Sequence, residues 1–204
     1  MEKYIKSISA LNAATLSNNN IDDINRCAES DIFWANNKNK QLLNRTIKKG
    51  SIYQFEFGKN YIPEMSYEHR GLVIGVSGKL LYVLPICSYN SSKKEHRIAY
   101  HPVDNPNSKS NYYLLKEQEF SFLKHDSVLK LNDIRTVSIA RIKYKQDNGY
   151  LNPQSDIYKN IEKIVFTKYF NDYAYDYNRL SNENEQLKNE VIKLQNQIKS
   201  LTNK

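Results

Sequence analysis

The stretch of this chain with the most chemistry in it runs from residue 89 to residue 113. It sets Lys93, Lys94, His96, Arg97, His101 and Lys109 among Tyr100, Tyr112 and Tyr113. Cations of this kind track phosphates and aromatic faces stack on unpaired bases, which is the chemistry that holds a single strand of RNA. The same stretch is rich in turn-forming residues and long for a connection inside a compact domain, so it reads equally as a solvated loop around a central β-hairpin. His96, His101 and Cys87 do not follow the spacing of an established metal motif, and no metal-ligand set is read from them. Cys27 lies on an apolar helical stripe and is expected to be a small core residue. Cys87 closes an apolar strand, where a thiol is normally buried and inert unless a base and positive charge activate it. Two cysteines in 204 residues make no disulfide framework, so both thiols are expected free, in a reducing cytoplasm.

The formal charge of +8 attracts polyanions through counterion release, and its distribution limits how. Residues 1–49, 50–175 and 176–204 carry excesses of +3, +4 and +1, so no basic tail holds the charge, and a polyanion site must be assembled by folding. The longest apolar runs, Gly71–Val76 and Leu80–Cys87, are far shorter than the ~18–20 residues that cross a bilayer, and no membrane contact is expected. The first residues lack the apolar core of a signal peptide. With 16 Tyr, 7 Phe and 1 Trp, the chain has enough large side chains to build a core despite its low mean hydropathy.

Three kinds of element must position these groups. Residues 1–48 read as a helical extension. Tyr4, Ile5, Ile8, Leu11 and Leu16 recur at helical spacing. Asp22 and Asp23 open a second helix with Ile24, Cys27 and Ala28 on its buried stripe. A third short segment runs from Ile32-Phe33-Trp34 through Leu42 and Leu43 to Ile47. At Gly50 the period changes to alternation: Tyr53, Phe55 and Phe57 point one way and Ile52, Gln54 and Glu56 the other, a strand buried on one face. Gly78 supplies a tight hairpin between the next two apolar runs, and 127–131 and 134–142 add β-branched strands, so residues 49–153 read as a small, strongly bent β-barrel containing the long loop 89–113. Residues 154–204 hold neither Gly nor Pro and read as helix. From Tyr177 they follow heptads, with Leu180, Leu187, Leu194 and Leu201 at d and Asn184, Val191 and Ile198 at a. Such a pattern over 177–201 favours a parallel two-stranded coiled coil in which Asn184 sets register, although the stripe can also fold back on its own domain.

Four segments in order resemble the MazF/PemK toxins of bacterial toxin–antitoxin systems. Gly50–Gly58 resembles the family's first strand, and Glu64–Ile74 with His-Arg-Gly-Leu-Val-Ile resembles its "GxExxxxRPALVI". Leu84–Ser88 is similar to "VPITS", and Lys124–Ile142 to "SxVxLDQIRTVDKSRI". The resemblance covers roughly residues 34–168 and implies an α+β chain built on an SH3-like barrel. Such a barrel dimerises and cleaves single-stranded RNA without a metal or cofactor, by attack of the ribose 2′-hydroxyl on the adjacent phosphate. It also implies a cognate antitoxin.

The family supplies this chemistry mainly from an arginine and a threonine, and this chain departs at both. His69 stands on the family's arginine, Arg70 on its proline and Cys87 on its threonine, with Ser88 beside it. A histidine can move a proton at neutral pH and an arginine can hold a phosphate bidentately, so His69, Arg70, Cys87 and Ser88 are the expected catalytic set. Neighbours on a strand face opposite ways, so His69 and Arg70 share a site only if they lie in the loop before the strand. Lys59, Glu64, Lys93, Lys94, Arg97 and Tyr112 are the expected RNA contacts, and Leu180 through Leu201 the homodimer seam. The alternative is a catalytically silent relative that binds RNA or a protein and assembles through its coiled coil.

Overall fold

The computed structural model describes residues 1–17, 20–39 and 46–202, and divides into two compact units, Met1–Lys159 and Asn160–Lys204. The first unit holds two helices, α1 (Glu2–Leu16) and α2 (Ile21–Asn37), and seven antiparallel strands. The strands are β1 (Ser51–Glu56), β2 (Glu68–Ser77), β3 (Leu80–Ser88), β4 (Tyr112–Leu115), β5 (Ser127–Lys130), β6 (Arg135–Ser138) and β7 (Ile142–Tyr150), with one helical turn, α3 (Lys94–Arg97), between β3 and β4. The helical extension therefore belongs with the sheet in one unit, and the boundary falls within α4 (Asp156–Tyr169). A long helix, α5 (Asn171–Thr202), ends the chain. The fold class is α+β.

The sheet runs β4-β5-β3-β2-β1-β7, with β6 also paired to β3. Successive residues of β3 meet β6 (Leu80–Val83) and then β5 (Ile86–Ser88), so β5 and β6 are two halves of one strand interrupted at 131–134. Among the described residues no ladder joins β7 to β4 or β6, so the sheet is open where a closed barrel was expected. The expected hairpin joins β2 to β3, with Gly78 at φ +59°. Gly50, at φ +84°, donates its N–H to the Val73 carbonyl oxygen and accepts from Leu151 N, and an added Cβ would lie 2.1 Å from the Leu151 carbonyl oxygen. Only glycine fits where the chain enters β1.

β1 alternates as expected but is buried on both faces. Tyr53, Phe55 and Phe57 join Val73, Leu81, Val83, Val137 and Ile142 in one cluster. Ile52 on the other face pairs with Leu72, which pairs with Leu84, and all three are buried. Glu56 is 4% exposed because its Oε1 accepts hydrogen bonds from Ser30 Oγ (3.0 Å) and Gly58 N (2.9 Å). A hydrogen bond to a carboxylate contributes about 1.5–3 kcal/mol, so the Ser30 bond anchors α2 to the sheet as well as satisfying the buried acid. The Lys59–Asp31 ion pair at 2.7 Å adds a second tie.

α2 is capped by Asn20, whose Oδ1 accepts from Asp22 N, in place of the expected Asp22 or Asp23. Its covered face is Ile24, Cys27, Ser30 and Phe33, whereas Ala28 is exposed. The Ile32–Trp34 segment continues α2 and does not form a third helix, and Leu42 and Leu43 lie outside the described residues. The stretch 89–113 is not a hairpin: α3 and isolated bridges at Tyr100–Tyr113 and His101–Asn105 organise it. The 154–204 helix is two helices divided at Phe170. On α5, Leu180, Leu187, Val191, Leu194, Ile198 and Leu201 are all exposed. No helix among the described residues is long and apolar enough to cross a membrane.

Candidate nucleic-acid cleft

Strand register builds the floor of an open cavity of about 790 Å³. Tyr144 on β7 pairs with Gln54 on β1, Gln54 with Arg70 on β2, and Arg70 with Ile86 on β3. Paired residues present their side chains on one face, so Gln54, Arg70 and Ile86 form a row that Tyr144 joins at an irregularity in the β1–β7 pairing, and Ser88 lies two residues along β3 on the same face. All five line the cavity, and Lys93, Lys124 and His125 enter it from the loops.

Arg70 Nη2 donates to Ser127 Oγ at 2.9 Å, and the fully buried Ser127 hydroxyl in turn donates to the His125 carbonyl oxygen at 3.2 Å. This fixes one edge of the guanidinium. Burial lowers Arg70 from its ordinary value, with the Cys87 thiol opposing, but a guanidinium starts so high that it keeps its charge at neutral pH. Ser88 Oγ and His125 Nε2 stand 2.8 Å apart, both exposed to solvent. Glu68, also on the cavity wall, is occupied by Lys143 and Tyr144. Three cations, Arg70, Lys93 and Lys124, and a Ser–His pair therefore share one open surface. Such a surface can hold a phosphodiester and move a proton beside it.

The expected catalytic set divides between the faces of the sheet. Both His69 and Arg70 lie inside β2, and His69 pairs with Phe55, so its imidazole leaves on the opposite face from Arg70. His69 borders the cleft but also lines a cavity beside α2 with Arg26, Glu29 and Tyr67. Burial and then Arg26 and Arg70 lower its pKa, against Glu68, which keeps the ring neutral at pH 7. Cys87 pairs with Val128 and alternates with Ser88 along β3, and like His69 it also borders the cleft. Burial pushes its thiol up, against the pull of Lys93, Lys130 and Arg70, so it is protonated at neutral pH and is not a thiolate nucleophile.

The expected RNA contacts divide too. Lys93 lines the cleft; Lys94 and Arg97 lie on α3 outside its lining, with Arg97 donating to the Ser91 carbonyl oxygen. The Tyr112 ring lies 5.0 Å from that of His96, which is 3% exposed, accepts from Asn90 N at 3.0 Å and is held neutral by burial and Lys93, against Glu95. Lys59 is paired with Asp31 beside α2, and Glu64 stands 3.8 Å from Arg135, both away from the cleft. His101 is a structural hub: its Nδ1 accepts from Val103 N and Asp104 N, so its Nε2–H donates to Glu119.

His125, Lys124, Gln54 and Tyr144 were not singled out from the sequence. For His125 a signal was present, a histidine and lysine at the mouth of a β-branched strand; for Gln54 and Tyr144 there was none, because only register makes them neighbours of Arg70. Among the described residues no group of three or more His, Cys, Asp or Glu side chains is arranged to hold a metal ion. Comparison with models of known protein families gave no match, and comparison with curated proteins gave none either.

Proposed function

We propose that the chain is a MazF/PemK-like endoribonuclease, built on a variant of the SH3-like barrel, that cleaves single-stranded RNA without a metal. The observation that carries the reading is the convergence of Arg70, Lys93 and Lys124 with the Ser88–His125 pair on one open cleft. Arg70, braced by Ser127, takes the non-bridging oxygens of the scissile phosphate and stabilises the phosphorane. The lysines bind the flanking phosphates, and Tyr144 offers a ring for a base. His125, with Ser88, takes the proton of the 2′-hydroxyl as that oxygen attacks phosphorus. The bond to the 5′-oxygen breaks and water in this open cleft returns a proton to it, leaving a 2′,3′-cyclic phosphate and a 5′-hydroxyl. On this reading the protein is a toxin restrained by a cognate antitoxin, and α5 joins two copies through its exposed heptad stripe.

One observation favours the second reading, a catalytically silent RNA-binding module. His69 and Cys87, which align with the family's arginine and threonine, alternate with Arg70 and Ser88 along their strands, so that they border the cleft without standing in the row that carries Arg70 and Ser88. The test incubates the purified chain with single-stranded RNA and a 2′-deoxy control in EDTA, alongside Arg70→Ala, His125→Ala and His69→Ala. The expected result is cleavage of the ribose strand only, lost in the first two variants and kept in the third. RNA bound but uncut selects the silent module, and RNA neither bound nor cut refutes both.

A further inference from the structure

A second cavity, of about 410 Å³, lies between α2 and the sheet and shares no lining residue with the cleft. Its walls include Phe33 and Trp34 of α2, Lys38 at the C-terminal cap of that helix, Gly58 after β1, and Ala140 and Arg141 before β7. The volume falls in the range of small-molecule sites. Trp34 is 58% exposed although it sits at the cavity, and the Lys38 ammonium stands 4.8 Å from its ring centroid. A large ring left this open is available to stack.

Arg141 supplies the charge. Its Nη1 donates to the Glu56 carbonyl oxygen at 2.9 Å, which fixes the side chain. Gly58 leaves room for it: a Cβ there would come within 3.1 Å of the same nitrogen. Arg141 Nη2 and Nε make no protein hydrogen bond among the described residues. The acids of the cavity are already engaged, Asp31 by Lys59 and Glu56 by Ser30 and Gly58. Lys38, Lys59 and Arg141 outnumber Asp31 and Glu56 by one positive charge, and Arg141 and Lys38 are the two cations of the cavity that form no ion pair with an acid among the described residues, beside an exposed indole.

We propose that this cavity binds a nucleotide, the base stacking on Trp34 and the phosphate taken by Arg141 and Lys38. Stacking tolerates any base, while the cations require the phosphate, so affinity depends on both halves of the ligand. The nucleotide can come from a free mononucleotide or from one residue of a strand. The site needs no cleavage chemistry and stands apart from the endoribonuclease reading.

Trp34 is the single tryptophan of the chain, so its emission reports this cavity alone. The full-length protein is titrated with AMP, GMP, CMP and UMP, with adenosine and inorganic phosphate as half-ligands, and with a 2′-deoxy pentanucleotide. The expected result is a saturable change with the four mononucleotides, about tenfold or more weaker with adenosine and absent with phosphate. A matching response to the pentanucleotide adds the strand as a source, and its absence assigns the site to free nucleotides. Arg141→Gln is expected to weaken binding by about ten- to a hundredfold. Because Arg141 also holds the backbone at Glu56, Lys38→Gln, at the exposed end of α2, provides a second variant whose folding is not in question, and it is expected to weaken binding in the same direction. Emission unchanged by both mononucleotides and pentanucleotide at millimolar concentrations overturns the proposal. So does an equal response to phosphate alone, or wild-type affinity in both variants.

Discussion

Replacing Arg70 with glutamine removes a cation from the cleft and, because the amide ends short of where Nη2 stood, the bond to Ser127 as well. The two roles of Arg70 separate by what each measurement reads. Towards the protein it gives one charge-assisted hydrogen bond to Ser127 Oγ, and Ser127 keeps its own donation to the His125 carbonyl oxygen, so Arg70→Gln is expected to destabilise the fold by no more than about 3 kcal/mol. Towards RNA it gives a phosphate contact. Loss of a hydrogen bond to a charged group costs about 1.5–3 kcal/mol, a ten- to hundredfold fall in affinity. One phosphate fewer also lowers the slope of log K against log salt by about 0.7 for a single strand. The assay is fluorescence anisotropy of a labelled 2′-deoxy oligonucleotide over a series of salt concentrations, with thermal unfolding of both proteins alongside. An unchanged slope and near-equal affinity, with a lowered Tm, would refute the reasoning and leave Arg70 as a brace for Ser127.

Gly50→Ala is expected to destabilise the sheet by at least about 2 kcal/mol, seen in urea unfolding, because it combines a positive φ with a Cβ 2.1 Å from a backbone oxygen. His69 and His96 both have folded pKa values below the ordinary histidine value, so the unfolded chain binds more protons over that window. Stability should be full above about pH 6.5 and fall as the pH drops below it, and His69→Gln should flatten part of that slope in urea midpoints measured between pH 7.5 and 5. Leu187→Asp puts a charge in the middle of the α5 stripe and is expected to convert dimer to monomer in analytical ultracentrifugation; a wild-type chain that sediments as a monomer at all concentrations removes the coiled-coil proposal.

The elements themselves were largely legible. The period change at Gly50, the hairpin at Gly78 and the heptads of α5 rest on local stereochemistry and side-chain spacing, which a linear sequence carries. What failed locally failed for a physical reason. β1 reads as buried on one face because Gln54 and Glu56 are polar, yet Glu56 is buried since Ser30 arrives from α2, 26 residues away, to satisfy it. The 89–113 stretch reads as a solvated loop because it is polar, but His96 and His101 turn inward and spend their ring nitrogens on its backbone.

The candidate site was half legible. Arg70 and Ser88 were singled out, and the rule that strand neighbours face opposite ways already stated the condition on which His69 could join Arg70. The structure decided that condition by extending β2 back to Glu68, which puts His69 under α2. By itself, then, the sequence determined which residues could carry charge or protons and which segments would be strand or helix, because these depend on side-chain type and local period. Only the tertiary structure decided who meets whom. The row Tyr144–Gln54–Arg70–Ile86 exists through pairing register, and His125 reaches Ser88 across 37 residues because β5 lies against β3. Register and strand order are settled by the burial of both faces of the sheet at once, a global condition that no local window of sequence contains.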